Sequence, residues 1–385
     1  MQLFHRTALV ALGLTVTTPG LGVAQRSTGE VMAEMGTYLG QLPNPSTQGE
    51  IGVAARTRIT WESADRRHRL TVEPFLRWDI LNGDRTRFDV RDLSWQMTTG
   101  IWEVTVGVRE IFWGVAESQH LVDEINQRNP IGGVRLYEKL GQPLAMVAAT
   151  SDWGTVELLA LPIFRPRPFD GRSGRLWSPR PVLARDAVVR GGSRRVYADW
   201  ALRYSHSVGA WDVGAAFFSG TARDPYFAPS GDSAWIPHHD LIDRTSVEIL
   251  WTTGFWLFKA EGATQGSALG RFGSAVGGVE FAPVDFFAGI LEYSYDSRGS
   301  AATTSYENDV FLGGRLLTED GSVRAGAFVD TRSGTVLGSV EASRRLATGI
   351  VVTLEARAFL GDEARQPQHA FRQDTFLGLL ATYHW

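Results

Sequence analysis

The sequence predicts an all-β protein: a transmembrane, antiparallel, up-and-down β-barrel of about 18 strands (16 is the alternative), with one loop folded inward. Three observations predict it. Apolar and charged residues alternate with period two along most of the chain. The connections between alternating stretches are by turns short and long. The chain opens on an export-type segment and closes on an alternating strand that ends in Trp385.

At the amino end, His5 and Arg6 precede an apolar run from Ala8 to Val16, followed by Thr17-Thr18-Pro19 and the small-x-small triplet Gly22-Val23-Ala24. This is the pattern of a cleaved secretory signal over residues 1–24, with a single barrel over 25–385. The run is too short for a spanning helix, which needs roughly 20 apolar residues. Residues 31–41 supply the first strand. Residues 51–62 place Ile51, Val53, Ala55, Ile59 and Trp61 opposite Arg56, Arg58 and Glu62. From 68 to 80 one face carries Leu70, Val72, Pro74, Leu76, Trp78 and Ile80, and the other Arg69, Thr71, Glu73, Arg77 and Asp79, with Phe75 the exception. Residues 102–109, 196–205, 211–218, 323–330 and 350–360 repeat the pattern. An arginine facing lipid at the bilayer midplane costs about 2–4 kcal/mol, so the charged face lines a lumen and the apolar face meets lipid. Strands of a soluble sandwich also alternate, but no second set of elements is available here to cover so much apolar sheet.

Counting back from a last strand at 373–385 places turns near 346–349, 318–321, 282–284, 253–254, 207–210, 151–154 and 98–100 on one side, all short. The connections 361–372, 297–304, 264–271, 220–240, 162–194 and 114–141 fall on the other. This topology gathers Trp61, Trp95, Trp102, Trp153, Trp211, Trp251, Trp256 and Trp385, eight of 13 tryptophans, at one rim, as an interfacial aromatic girdle requires.

Composition narrows function. With no cysteine there is no disulfide or thiolate metal site. The net charge is −4, and removing residues 1–24 takes away one arginine and no acid, leaving −5; nucleic acid is not an expected partner. Only Lys139 and Lys259 are lysines. No G-x-S-x-G, H-E-x-x-H or P-loop occurs, and neither His238-His239-Asp240 nor His206 between two serines makes a persuasive metal or hydrolase site. No catalytic residue and no cofactor is expected.

A barrel of this size encloses a channel unless something plugs it. The connection 114–141 holds Glu117, His120, Asp123 and Glu124, and Leu121, Val122 and Ile125 have spacing compatible with a short helix over 117–127. Folded inward, this acidic segment would form a constriction facing the basic wall residues Arg56, Arg58, Arg69, Arg77 and Arg109. Each opposed pair at 4 Å is worth about 1–4 kcal/mol, enough to bias permeation without tight binding. The connection 162–194 holds Arg165, Arg167, Arg172, Arg175 and Arg180 among its eight arginines, against Asp170 and Asp186. Guanidinium forks suit anion capture at the mouth; bridging lipopolysaccharide phosphates or pairing with acids of neighbouring loops is the alternative.

Two resemblances add to this. The alternating strand with an aromatic last residue resembles the assembly signal of Gram-negative outer-membrane β-barrels, with Trp in place of the usual Phe. The run Val106-Gly107-Val108-Arg109-Glu110-Ile111-Phe112-Trp113-Gly114, then Asp123, Ile125-Asn126 and Asn129-Pro130, is similar to a pattern in uncharacterised porin-like proteobacterial proteins, with Glu110 replacing Gln; so is Leu161-Pro162-Ile163-Phe164-Arg165-Pro166. The resemblances imply an outer-membrane, channel-like protein with no established substrate; with the charged loop and wall, the expected function is passive diffusion of small hydrophilic, charged solutes. Its partners would be outer-membrane lipids, lipopolysaccharide and the barrel-assembly machinery, and a homo-trimer is one possible state. The alternative is a plugged barrel acting as an adhesin or lipopolysaccharide-binding structural protein.

Overall fold

The structure is a computed structural model that describes residues 24–40, 48–132, 138–169, 180–189, 198–231, 234–267, 270–302, 307–361 and 375–385. The expected signal segment lies outside these residues except for Ala24.

Eighteen strands form the barrel in chain order: β1 Ala24–Tyr38, β2 Gly49–Glu62, β3 His68–Asp79, β4 Arg87–Thr99, β5 Trp102–Arg109, β6 Gln142–Ser151, β7 Gly154–Leu161, β8 Asp199–Val208 and β9 Trp211–Thr221. They continue as β10 Leu241–Thr253, β11 Trp256–Ser267, β12 Gly270–Val284, β13 Phe287–Asp296, β14 Asn308–Thr318, β15 Gly321–Asp330, β16 Val336–Ala347, β17 Ile350–Leu360 and β18 Phe376–His384. Every strand pairs antiparallel with its sequence neighbours. The sheet closes where β1 meets β18 in a register running from Glu30 opposite His384 to Tyr38 opposite Phe376. Closure leaves no edge strand with unpaired backbone groups, the condition for crossing lipid with strands.

The count of 18 matches the expectation, and so does the connection pattern. At one end, β4–β5, β6–β7, β8–β9, β10–β11, β12–β13, β14–β15 and β16–β17 are joined by two-residue turns. Gly100 and Gly254 sit in two of these turns at φ +58° and +56°, where a side chain would be strained. The long connections lie at the other end. Two boundaries differ from the reading of the sequence: β1 spans 24–38 rather than 31–41, and β11 and β12 run on through most of 264–271.

Side chains are sorted as the alternation requires. Outward-facing Leu76 and Phe88 are 55% and 68% exposed, whereas inward-facing Glu73, Arg77 and Glu292 are buried. Phe75, the exception to the pattern on β3, turns inward beneath the guanidiniums of Arg77, Arg87 and Arg91, 4.4–5.8 Å from its ring centre. Pro74 lacks a ladder donor and sits where the β3–β4 register shifts. At the rim of short turns, Trp211 stacks on Trp251 (5.2 Å), Trp251 on Phe258 (5.2 Å) and Trp256 packs against Phe281 (4.4 Å), a continuous arc of the predicted girdle. Above the opposite rim, Val188–Val189, Tyr226–Ser230 and Ala234–His239 form a separate small sheet.

Candidate functional site

The connection from β5 to β6 enters the barrel. Its first half lies along the inner wall, where Trp113, Val122 and Ile125 pack with Leu144, Met146, Leu159, Leu161, Phe218 and Ile242 on β6, β7, β9 and β10. These inward positions are apolar because the loop, not water, covers them. The loop then reaches β11 and β13. Glu261 on β11 accepts backbone N–H groups from Val115 (2.7 Å), Ala116 (2.9 Å), Leu121 (2.6 Å) and Val122 (3.2 Å). Glu292 on β13 accepts those of Glu117 (2.9 Å) and Ser118 (2.8 Å). Arg244 on β10 donates to the carbonyl of Leu121. The predicted helix over 117–127 does not form. Its backbone donors are committed to carboxylates of the opposite wall, and the apolar spacing of Leu121, Val122 and Ile125 serves packing against the barrel. At the loop's base, Asn126 donates to the carbonyls of Arg109 (3.0 Å) and Leu140 (2.8 Å), and its Oδ1 accepts from Ile111 N–H (2.8 Å).

The remaining lumen is a cavity of about 1890 Å³, and Glu117, His120, Asp123 and Glu124 all line it. The four differ in availability. Asp123 is ion-paired with Lys139 and its carboxylate is almost wholly covered. Glu124 lies 3.8 Å from the Arg244 guanidinium and accepts Arg223 N–H at 3.2 Å; burial, only partly offset by Arg244, raises its pKa. Burial also depresses His120, against the pull of Asp123, leaving it neutral at neutral pH. Glu117 has the most open side chain, 38% exposed, and pairs with Lys259 at 2.8 Å. Burial acts against its carboxylate, but the Lys259 hydrogen bond and charge outweigh burial and lower its pKa. Both lysines of the chain therefore serve the loop acids.

Of the predicted wall arginines, Arg56, Arg58 and Arg77 line the cavity. Arg56 and Arg58 stand on β2, nine strands around from β11 and so half the circumference from the loop's anchor. Arg56 pairs with Glu30 (2.7 Å) and Arg58 with Glu73 (2.5 Å). Arg77 is buried, 3.5 Å from Glu34. Arg69 lies near the rim of short turns, 3.6 Å from Glu62, and Arg109 contacts Thr105 at 3.5 Å; neither borders the cavity. Reading the sequence missed Arg315 and Arg324, which extend the basic wall over β14 and β15 at directly paired positions. It also missed the anchors Glu261, Glu292 and Lys259. The rarity of lysine, two in the chain, is the signal that could have found the last.

Among the predicted mouth arginines, Arg165 binds Asp89 (2.7 Å) and the Gly141 carbonyl (2.6 Å). Arg167 pairs with Asp224 and reaches Gln127 at 3.1 Å, and Arg180 lies over the Trp235 ring at 5.3 Å. Arg172 and Arg175 fall outside the described residues. The described members thus tie the outer connections to one another and, through Asp89, to β4, and Arg167 alone of them borders the cavity.

No protein-family model matches the chain, and no curated protein matches it. Solved structures do. A triple mutant of the porin of Rhodopseudomonas blastica superposes with a TM-score of 0.50 at 11% identity, covering 94% of this chain and 100% of that one. A structure described by the asymmetric conductivity of engineered proteins gives 0.50 at 10% with the same coverage, and a second triple mutant of the blastica porin gives 0.48 at 11%. At such identity the likeness is one of fold, and that fold is a porin-like barrel.

Proposed function

We propose that this protein is an outer-membrane, porin-like channel for passive diffusion of small hydrophilic, charged solutes. The observation that carries the reading is the lumen: a cavity of about 1890 Å³ between an inward loop and a wall bearing Arg56, Arg58, Arg315 and Arg324. Glu117, bonded to Lys259 at 2.8 Å, is the most open of the three acids Glu117, Asp123 and Glu124. Opposed charges across such a gap orient dipolar solutes and disfavour apolar ones. The reading includes a cleaved signal over 1–24, a single barrel over 25–385, contact with lipid and lipopolysaccharide, delivery by the barrel-assembly machinery and possible assembly as a trimer. It assigns no catalytic role, and it keeps the kinship with the uncharacterised proteobacterial porin-like proteins as part of the proposal.

Swelling of liposomes that contain the folded protein tests it. Small sugars and zwitterions should enter at rates that fall with solute size. Folded protein that admits none of them would favour the plugged, surface-binding barrel.

A further inference from the structure

Outside the constriction, one group of carboxylates makes no salt bridge among the described residues, the Arg332 guanidinium acting on Glu307 only at longer range. Glu307, Asp309 and Asp330 meet at the outer ends of β14 and β15, each at most 2% exposed. One carboxylate oxygen from each lies within 4.8 Å of the others. Asp309 and Asp330 are directly paired across the two strands, the placement at which like charges repel most. Neighbouring Asp296 has its own cation, Arg298, at 2.6 Å. Among the described residues no Lys, Arg or His nitrogen bridges to any of the three.

The backbone holds the carboxylates in place without consuming them. Asp330 Oδ1 accepts the N–H groups of Arg332 (2.7 Å) and Ser333 (2.8 Å), and Asp309 Oδ2 accepts that of Asn308 at 3.1 Å. Asp330 Oδ2 and Glu307 Oε2 are fully buried with no hydrogen-bond partner among the described residues. An ionised oxygen in that condition is costly unless a cation completes it.

We propose that Glu307, Asp309 and Asp330 bind one divalent cation of the hard, oxygen-preferring class, with Ca²⁺ the best fit, clamping the outer ends of β14 and β15 to the residue that precedes β14. Opposite ligands of Ca²⁺ stand about 4.6–5.2 Å apart, and the spacing of the three oxygens lies within that reach. Mg²⁺ demands a tighter, near-octahedral shell. The site is independent of whether the lumen conducts.

Isothermal titration of chelator-treated, folded protein in detergent with CaCl₂ tests this, with MgCl₂ as the size control. The expected result is one Ca²⁺ per chain, weaker Mg²⁺ binding, and a rise in unfolding temperature on adding Ca²⁺. The double variant Asp309→Asn/Asp330→Asn should bind at least tenfold more weakly and lose that rise. Glu307→Gln, at a position outside the strand ladder, should weaken binding comparably and decides the matter if the double variant does not fold. No Ca²⁺ binding by the wild-type protein, as expected if the carboxylates relieve their repulsion by sharing protons, would overturn the proposal. So would undiminished binding in the variants.

Discussion

Glu261 shows how one residue sets the shape of the lumen. Its two oxygens satisfy four loop N–H groups, of which a helix over 117–127 would have satisfied those of Leu121 and Val122 internally. Glu261→Gln turns one of those acceptors into a donor facing other donors, which costs about 1–3 kcal/mol. Amide exchange at Val115, Ala116, Leu121 and Val122 should then speed up at least tenfold while strand amides keep their protection; unchanged exchange would mean that the loop is held elsewhere. Of Glu117, Asp123 and Glu124, Glu117 has the most open carboxylate. Neutralising Glu117, Asp123 and Glu124 together should move ion selectivity toward anions, and Glu117→Gln alone should produce most of the shift. Unchanged reversal potentials in the triple variant would remove the loop from the permeation path.

At the scale of elements, β5 and the outer sheet carry two further predictions. Gly107 on β5 adopts φ +138°, and a Cβ there would lie 2.0 Å from the Leu93 carbonyl oxygen. Gly107→Ala should destabilise the β4–β5 seam by at least about 1–3 kcal/mol, read as a lower temperature for conversion of the folded to the unfolded band on a gel. In the outer sheet, His239 is buried against Phe164, and its Nδ1–H donates to the Ala222 carbonyl at 2.9 Å. Burial depresses its pKa from 6.5 to about 4. Because the docked state binds the proton more weakly than the undocked one, docking is unaffected above pH 6.5 and weakens as pH falls from 6.5 to about 4, by on the order of 3 kcal/mol. Hydrogen exchange over 222–240, corrected for its intrinsic pH dependence, should show that loss in the wild-type protein and not in His239→Asn.

The strands and their turns were legible in the sequence because lipid on one side and water on the other impose period two on both faces at once. The loop was legible in place but not in conformation. Leu121, Val122 and Ile125 carry apolar spacing that a helix and an inner wall both accept, and only the cross-barrel contact with Glu261 separates the two. Pairing with acids is one of the two readings open for Arg165 and Arg167, but the partners, Asp89 and Asp224, cannot be named from the sequence because they are distant in it. The Glu307–Asp309–Asp330 group escaped notice for the same reason: it exists only in the register of β14 against β15.

The molecule as a whole is inverted relative to a water-soluble protein. Large apolar side chains such as Leu76, Phe88 and Leu312 face out, and ionised ones are enclosed. A belt of tryptophans marks one rim, while the long connections, the small sheet and the carboxylate group occupy the other. This arrangement agrees with a lipid-embedded wall around an aqueous interior, and the loop anchored at Glu261 and Glu292 lies inside the barrel beside the remaining cavity. The most direct measurement is single-channel recording of the purified protein in a planar bilayer under a salt gradient. A channel should give stable open steps with a reversal potential that shifts toward anions when Glu117, Asp123 and Glu124 are neutralised. Silence across many verified insertions would contradict the channel and leave a closed barrel.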